Sequence, residues 1–403
     1  MNITKKTPLL AASLFAASAT VLSAGSVESA LDASKTKLEA SVPGKFSINA
    51  RLRYEEFETS SEDSAGNSIR VRYGYTTPDF NGFTAMVEGE SLSEVGNGDD
   101  DLPGLDRKGD GNAVNQLWLQ YADKDLGKAK LGRQIYTLDD HRFIGHVSWR
   151  QNIQTFDALT GSFTGVENLT VNAFYLDGVE RVLGTSNELD SYGLNVSYKF
   201  APTAVLTAFY YDIENEDDAA FDNKTVGLRY VGSTKLDEVA LKYSFSYASQ
   251  SDVKSGDSEG DYYAADISAV VSGVTLGAGL EVLEPGFRTP LATVHKFNGF
   301  ADKFAGNTIN GGLTDGLEDL YLYVGYKLPI GNGLSTKVVY HDFSPESGSG
   351  AGGTEIDLVA AYKINKYITA VSKYGDYSAD SGTPATGFGG DKRMFSFELN
   401  FVY

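Results

Sequence analysis

The chain has no cysteine, and its 403 residues include only 2 Trp, 3 Met, 4 His and 10 Pro. Without thiols there is no disulfide scaffold and no thiolate metal site. Basic residues are outnumbered, 34 Lys+Arg against 54 Asp+Glu, giving a formal net charge of −20. That balance excludes the basic face with which a protein grips nucleic acid. Long hydrophobic runs are also missing. After residue 30 no apolar stretch approaches the roughly 18 to 20 residues that a membrane-spanning helix requires. The four histidines are His141, His146, His295 and His341, and the first two stand five apart, which is not a metal-ligand spacing. No G-x-S-x-G elbow is present. The sequence therefore predicts no enzyme, no metal and no cofactor.

What the chain has is a short apolar leader followed by strands. Lys5-Lys6, an apolar run from Leu9 to Leu22 and the small residues Ser23-Ala24-Gly25-Ser26 have the layout of a secretory signal cut near Ala24. Its loss takes away Lys5 and Lys6 and leaves a net charge of −22. The expected organisation is a signal peptide over 1–24, a short periplasmic segment over 25–44 and one β domain over 45–403. Too few residues precede the first strand for a plug domain.

From residue 45 the dominant period is two. Phe46, Ile48, Ala50, Leu52 and Tyr54 alternate with Ser47, Asn49, Arg51, Arg53 and Glu55, and Ile356, Leu358, Ala360 and Tyr362 alternate with Glu355, Asp357, Val359, Ala361 and Lys363. Strands send successive side chains to opposite faces, so each segment has one apolar face and one more polar face. No amphipathic pattern of period 3.6 stands out, and the fold class is all-β.

Alternation alone fits a soluble sandwich, apolar faces inward, or a transmembrane barrel, apolar faces outward. Length and rhythm favour the barrel. About 18 segments occur, most about nine to thirteen residues long, near the roughly nine to eleven of a tilted bilayer crossing rather than the five or six of globular sheets. Connections alternate between short, such as Ala201-Pro202, Ser272-Gly273 and Asn365-Lys366, and long, such as 92–113 and 284–317. Short periplasmic turns and long extracellular loops give an up-and-down antiparallel barrel that beat. The last segment carries Phe395, Phe397, Leu399, Phe401 and Tyr403 on one face and stops on the aromatic. Such a strand is expected to engage the barrel-assembly machinery, with outer-membrane lipid and lipopolysaccharide as surroundings.

Charged residues on a lipid face are costly, so the lumen should receive Arg51, Arg53, Arg70 and Arg72, with Lys199, Arg229, Lys242, Lys327, Lys337, Lys363 and Lys373. Glu55, Glu88, Glu90, Glu281, Glu355, Asp357 and Glu398 oppose them. Either the cations focus a field that draws anions through, or Arg and Glu on neighbouring strands neutralise each other. Acidic runs from Glu94 to Asp110 and from Glu214 to Asp218 read as solvated loops, or as carboxylates bridged to lipopolysaccharide by divalent cations.

One stretch breaks the alternation: Leu131-Gly132-Arg133-Gln134, then Asp139-Asp140-His141-Arg142-Phe143-Ile144-Gly145, then Trp149-Arg150-Gln151-Asn152 and Phe156-Asp157. With the leader and the aromatic end, this block resembles the alginate-export-type porins of Gram-negative outer membranes. The resemblance implies an 18-stranded monomeric barrel with a charged, partly constricted lumen whose arginines contact an anionic polysaccharide. It places Arg133 at a matching position and adds Arg142, Arg150 and Asp157 as constriction residues. The expectation is passive diffusion of small hydrophilic, anionic solutes. Export of an alginate-like exopolysaccharide is the alternative, and a secreted β-sandwich or β-solenoid with a binding role is the other rival.

Overall fold

A computed structural model describes residues 21–96, 111–252 and 258–403. Eighteen antiparallel strands form one closed sheet in which each pairs with its sequence neighbours and the first pairs with the last. They are β1 (Lys45–Thr59), β2 (Asp63–Thr76), β3 (Phe83–Glu94), β4 (Gly111–Asp123), β5 (Gly127–Gln134), β6 (Thr155–Val166), β7 (Leu169–Glu180), β8 (Ser186–Ala201) and β9 (Ala204–Ile213). The second half comprises β10 (Asn223–Leu236), β11 (Val239–Ser251), β12 (Ser258–Val271), β13 (Val274–Leu283), β14 (Leu317–Leu328), β15 (Leu334–Ser344), β16 (Gly353–Lys363), β17 (Ile368–Ala379) and β18 (Lys392–Val402). Closure removes every sheet edge, which a hydrocarbon environment demands because it offers backbone groups no water.

The faces sort as the alternation predicts. Leu52, Tyr73, Leu228, Ile267, Leu322 and Ile356 all stand exposed on the outer surface. Arg53, Arg70, Glu55, Glu281 and Glu355 are buried within the barrel. Leu358 is on the outside too, opposite Val338 and Tyr374 in register. This is an apolar belt around an ionic interior, the inverse of a soluble sandwich. Among the described residues no helix is long and apolar enough to cross a membrane.

The structure departs from the sequence pattern in three places. The stretch that breaks the alternation is largely not strand: β5 stops at Gln134 and β6 starts at Thr155, and the intervening 135–154 folds into the lumen. Its non-glycine residues Asp139, His141 and Val147 have positive φ, which no strand accommodates. The connection between β7 and β8 is only 181–185, which breaks the beat of short and long connections. A helix, α1 (Val21–Ser41), precedes the barrel. It is rich in Ala, Ser, Leu and Lys, adequate helix formers with no apolar stripe to announce them. It touches the short-turn end of the barrel, where Asp32 bonds Lys366 and Tyr367 and the Lys35 ammonium lies 5.6 Å from the Tyr403 ring. The leader residues 1–20 and the acidic run 97–110 lie outside the described residues. In the other acidic run, Asp218 caps a 3-10 turn at Ala219–Phe221 and Asp217 accepts from the Glu188 amide.

The dry core of the molecule is not in the wall. It lies inside the mouth, where 135–154 meets the connection 284–316. Ile144 and Leu291 form a parallel bridge, and both are buried with Leu138, Phe156, Phe174, Tyr211, Tyr262 and Phe287. Gly145 permits the crossing: a Cβ there would sit 2.2 Å from Thr293 Oγ1. A short helix, α2 (Ala305–Ile309), follows in the second segment, and Phe304 packs there against Phe343, Tyr377 and Phe388.

Candidate constriction and lumen site

β1 and β2 bring Arg51, Arg53, Arg70 and Arg72 to the inner wall, since odd positions of β1 and even positions of β2 share that face. The inward segment 148–151 lies across them. Arg51 Nη1 donates to the carbonyls of Ser148, Trp149 and Arg150 at 3.0–3.1 Å. Arg53 Nη1 donates to the Trp149 carbonyl at 2.6 Å, and Arg72 Nη2 to that of Gln151 at 2.9 Å. Arg70 bonds Asn49. Among the described residues each guanidinium but that of Arg70 also has a carboxylate: Arg51 and Arg53 reach Glu398 at 3.5 Å, Arg53 reaches Glu55 at 2.6 Å, and Arg72 is paired with Glu90.

Arg150 is buried between Glu55 at 2.8 Å and Asp302 at 2.7 Å, so it joins the first inward segment both to the wall and to the second segment. Arg142 is buried as well, with Glu281 at 2.9 Å and Asn298 at 3.3 Å. Trp149 stacks on His295, ring centroids 4.0 Å apart, with Arg53 4.0 Å and Lys373 3.7 Å from its ring. Burial pushes the His295 imidazole down to about 3, with Lys373 and Arg150 acting the same way and Asp302 against them. The ring is thus neutral, bonding Asp302 through Nδ1 at 2.9 Å and lying 3.1 Å from the Lys373 ammonium through Nε2. Burial likewise takes His146 down to about 4. These groups form a mostly dry lattice that fixes the inward segments. The pairing alternative, in which Arg and Glu neutralise each other, describes this region.

Arg133 and Asp157, expected in the pore, require a correction. In register Leu119, Leu131 and Leu159 are opposed, and so are Leu117, Arg133 and Asp157. Opposed residues share a face, and Leu131 is 59% exposed on the outside while Phe156 and Ala158 are buried within. Arg133 and Asp157 therefore stand on the outer face near the long-loop rim, joined by two bonds of 2.9 and 2.7 Å, with Glu180 2.9 Å from Arg133. A displacement of one residue along a strand reverses the face, and β5 is too short to show its phase in the sequence.

The same register turns Lys128 and Lys130 inward, two residues that the sequence reading missed. They line a cavity of about 330 Å³ with Gln134, Thr160, Asn195 and Ser197, under the bend at Tyr136–Asp139. Among the described residues neither lysine has a carboxylate within 4.0 Å. Lys130 lies 4.2 Å from the Trp118 ring. Among the described residues the one acid lining this cavity is Asp139, whose carboxyl burial pushes up, against a bond from Asn195. The signal was available in principle: Ala129 and Leu131 alternate with these lysines. A second cavity of about 280 Å³ lies against β10–β16, where Asp140 pairs with Arg229 at 2.7 Å and Asp266 accepts from Tyr321 and Tyr323.

The model of the alginate export family matches residues 47–279. The chain belongs to that family. Among solved structures, the family member described here superposes on OpdL of Pseudomonas aeruginosa with a TM-score of 0.67 at 13% identity, covering 89% of this chain and 98% of that one. OccAB2 of Acinetobacter baumannii gives 0.70 at 12% identity, with coverages of 89% and 98%. OpdK of Pseudomonas aeruginosa, solved with vanillate, gives 0.69 at 14% identity, again with 89% and 98%. At such identities the likeness is one of fold. No curated protein matches the chain. With its lipid-facing belt and ionic interior, this alginate-export barrel is an outer-membrane protein.

Proposed function

We propose that this barrel is a passive channel for small hydrophilic anions, narrowed by its two inward segments and steered by lysines rather than by the buried arginines. The observation that carries the reading is the cavity under the bend, whose Lys128 and Lys130 have no carboxylate within ion-pair distance among the described residues. An ammonium facing water inside a low-dielectric wall focuses the field and raises the local anion concentration. A hydrated point charge also holds an anion less tightly than a guanidinium fork, which suits a site that must release what it binds. Diffusion down a gradient needs neither cofactor nor catalytic group. OpdK, alike in fold, was solved with vanillate, a carboxylate. Residues 1–24 act as the export leader in this reading, and the strand ending at Tyr403 is presented to the assembly machinery.

Planar-bilayer recording in asymmetric KCl tests the proposal. The expected reversal potential has the sign of anion preference, and a cation preference would overturn it. The family's description favours one second reading, export of an alginate-like polysaccharide. Block of the current by alginate oligomers, with small carboxylates giving none, would select it.

A further inference from the structure

The proposed anion path leaves one lumen cavity unused. It measures about 280 Å³ and lies against β10–β16, across the bend from Lys128 and Lys130: Asp139 borders the lysine cavity and Asp140 borders this one. Most of its charge is already committed. Asp140 is paired with Arg229 at 2.7 Å, Glu281 with Arg142 at 2.9 Å and Asp319 with His341 at 2.8 Å, while Asp357 accepts from the Phe300 amide at 3.0 Å.

What remains is an aromatic platform. Across β13 and β14, Gly277 opposes Tyr323 and Gly279 opposes Tyr321, on the same face as Glu281 and Asp319, which are buried within the barrel. A Cβ on Gly277 would sit 2.1 Å from Tyr323 Cζ, and one on Gly279 would sit 2.2 Å from Tyr321 Cζ. Each ring therefore rests on bare backbone, close against the wall. The two lie side by side, centroids 6.3 Å apart and planes 23° from parallel. Both hydroxyls donate to Asp266 on β12, at 3.2 and 3.1 Å, which restrains the rings from swinging into the lumen. On the β15 side Lys337 is exposed, its ammonium 4.3 Å from the Tyr323 ring. Among the described residues neither Asp266 nor Lys337 has an opposite charge within 4.0 Å.

We infer that this cavity binds a neutral pyranose, stacked on Tyr321 and Tyr323, with hydroxyls that donate to Asp266 and accept from Lys337. The negative face of an aromatic ring attracts the polarised C–H groups on the flat side of a sugar. A few polar groups around such a surface fix the orientation. The border charges decide against ions. Asp266 repels an anion and Lys337 repels a cation, whereas hydroxyls, being both donors and acceptors, satisfy the two at once. The inference does not rest on the anion reading.

Titration of the purified full-length barrel with methyl glycosides of glucose, galactose and mannose, followed by saturation-transfer NMR in a detergent without a sugar headgroup, tests the assignment. At least one glycoside should bind, and more tightly than glucuronate or phenylalanine. Tyr321→Leu and Tyr323→Leu, which keep side-chain bulk on the glycines, should each weaken binding about fivefold, the worth of one aromatic contact. Tyr323→Phe keeps the ring and should retain most of the affinity, and Arg133→Ala on the outer face should change nothing. Binding of none of the glycosides overturns the assignment. So does tighter binding of glucuronate, which would make the cavity an anion site, or of phenylalanine, which would make it a site for zwitterions. Equal loss in Tyr323→Phe and Tyr323→Leu would overturn it too, because the hydroxyl network and not the ring face would then carry the binding.

Discussion

Two stretches of one inner wall use positive charge in opposite ways. Along β1 and β2, the arginines are covered by residues 148–151 and are paired, apart from Arg70, with Glu55, Glu90 and Glu398. Along β5, Lys128 and Lys130 face a cavity and have no such partner among the described residues. The planar fork of arginine satisfies carbonyls and carboxylates together, which suits a site that must stay shut. The lysine ammonium remains hydrated. Counting basic residues on a lumen therefore overstates its attraction for anions, because a paired, buried guanidinium contributes structure and little net field.

Arg150→Ala should break the first region most severely. It takes from Glu55 and Asp302 the buried cation they share, leaving them Arg53 and His295, and loss of one member of a buried pair costs up to about 3–5 kcal/mol. The barrel should still close, as heat-modifiable migration on gels would show, while 135–154 releases and single-channel conductance rises. An unchanged conductance would mean that the lattice does not hold the segment in place.

Lys128→Gln/Lys130→Gln should act on the second region with a smaller and different effect. Stability should barely move, and the reversal potential in asymmetric KCl should shift toward zero. Arg133→Ala is the control on the outer face, and it should leave the reversal potential where it was. A shift with Arg133→Ala as large as with the lysines would return Arg133 to the pore.

Acid should distinguish the two regions most subtly. His295 and His146 have folded values of about 3 and 4, below the ordinary imidazole value. A depressed folded value gives stability that is complete above about pH 6.5 and drains away as pH falls toward the folded value. Current noise from the inward segments should therefore grow between about pH 6.5 and 4. His295→Gln, which keeps a donor for Asp302, should blunt that growth; identical noise in the variant would clear His295 of the effect.

The alternation in Phe46–Glu55 and Ile356–Lys363, the short turns and the aromatic last strand determined the strand count, the closed sheet and the outward apolar face. Local period-two patterning is sufficient there because a bilayer imposes one rule on every strand. Tertiary structure alone decided the lumen. Whether Arg53 faces water or Trp149 depends on a segment almost a hundred residues away in the chain. Whether Arg133 or Lys130 looks inward depends on the register of one short strand beside an irregular turn. Side-chain charge is written in the chain, but its pairing and hydration are properties of what folds over it.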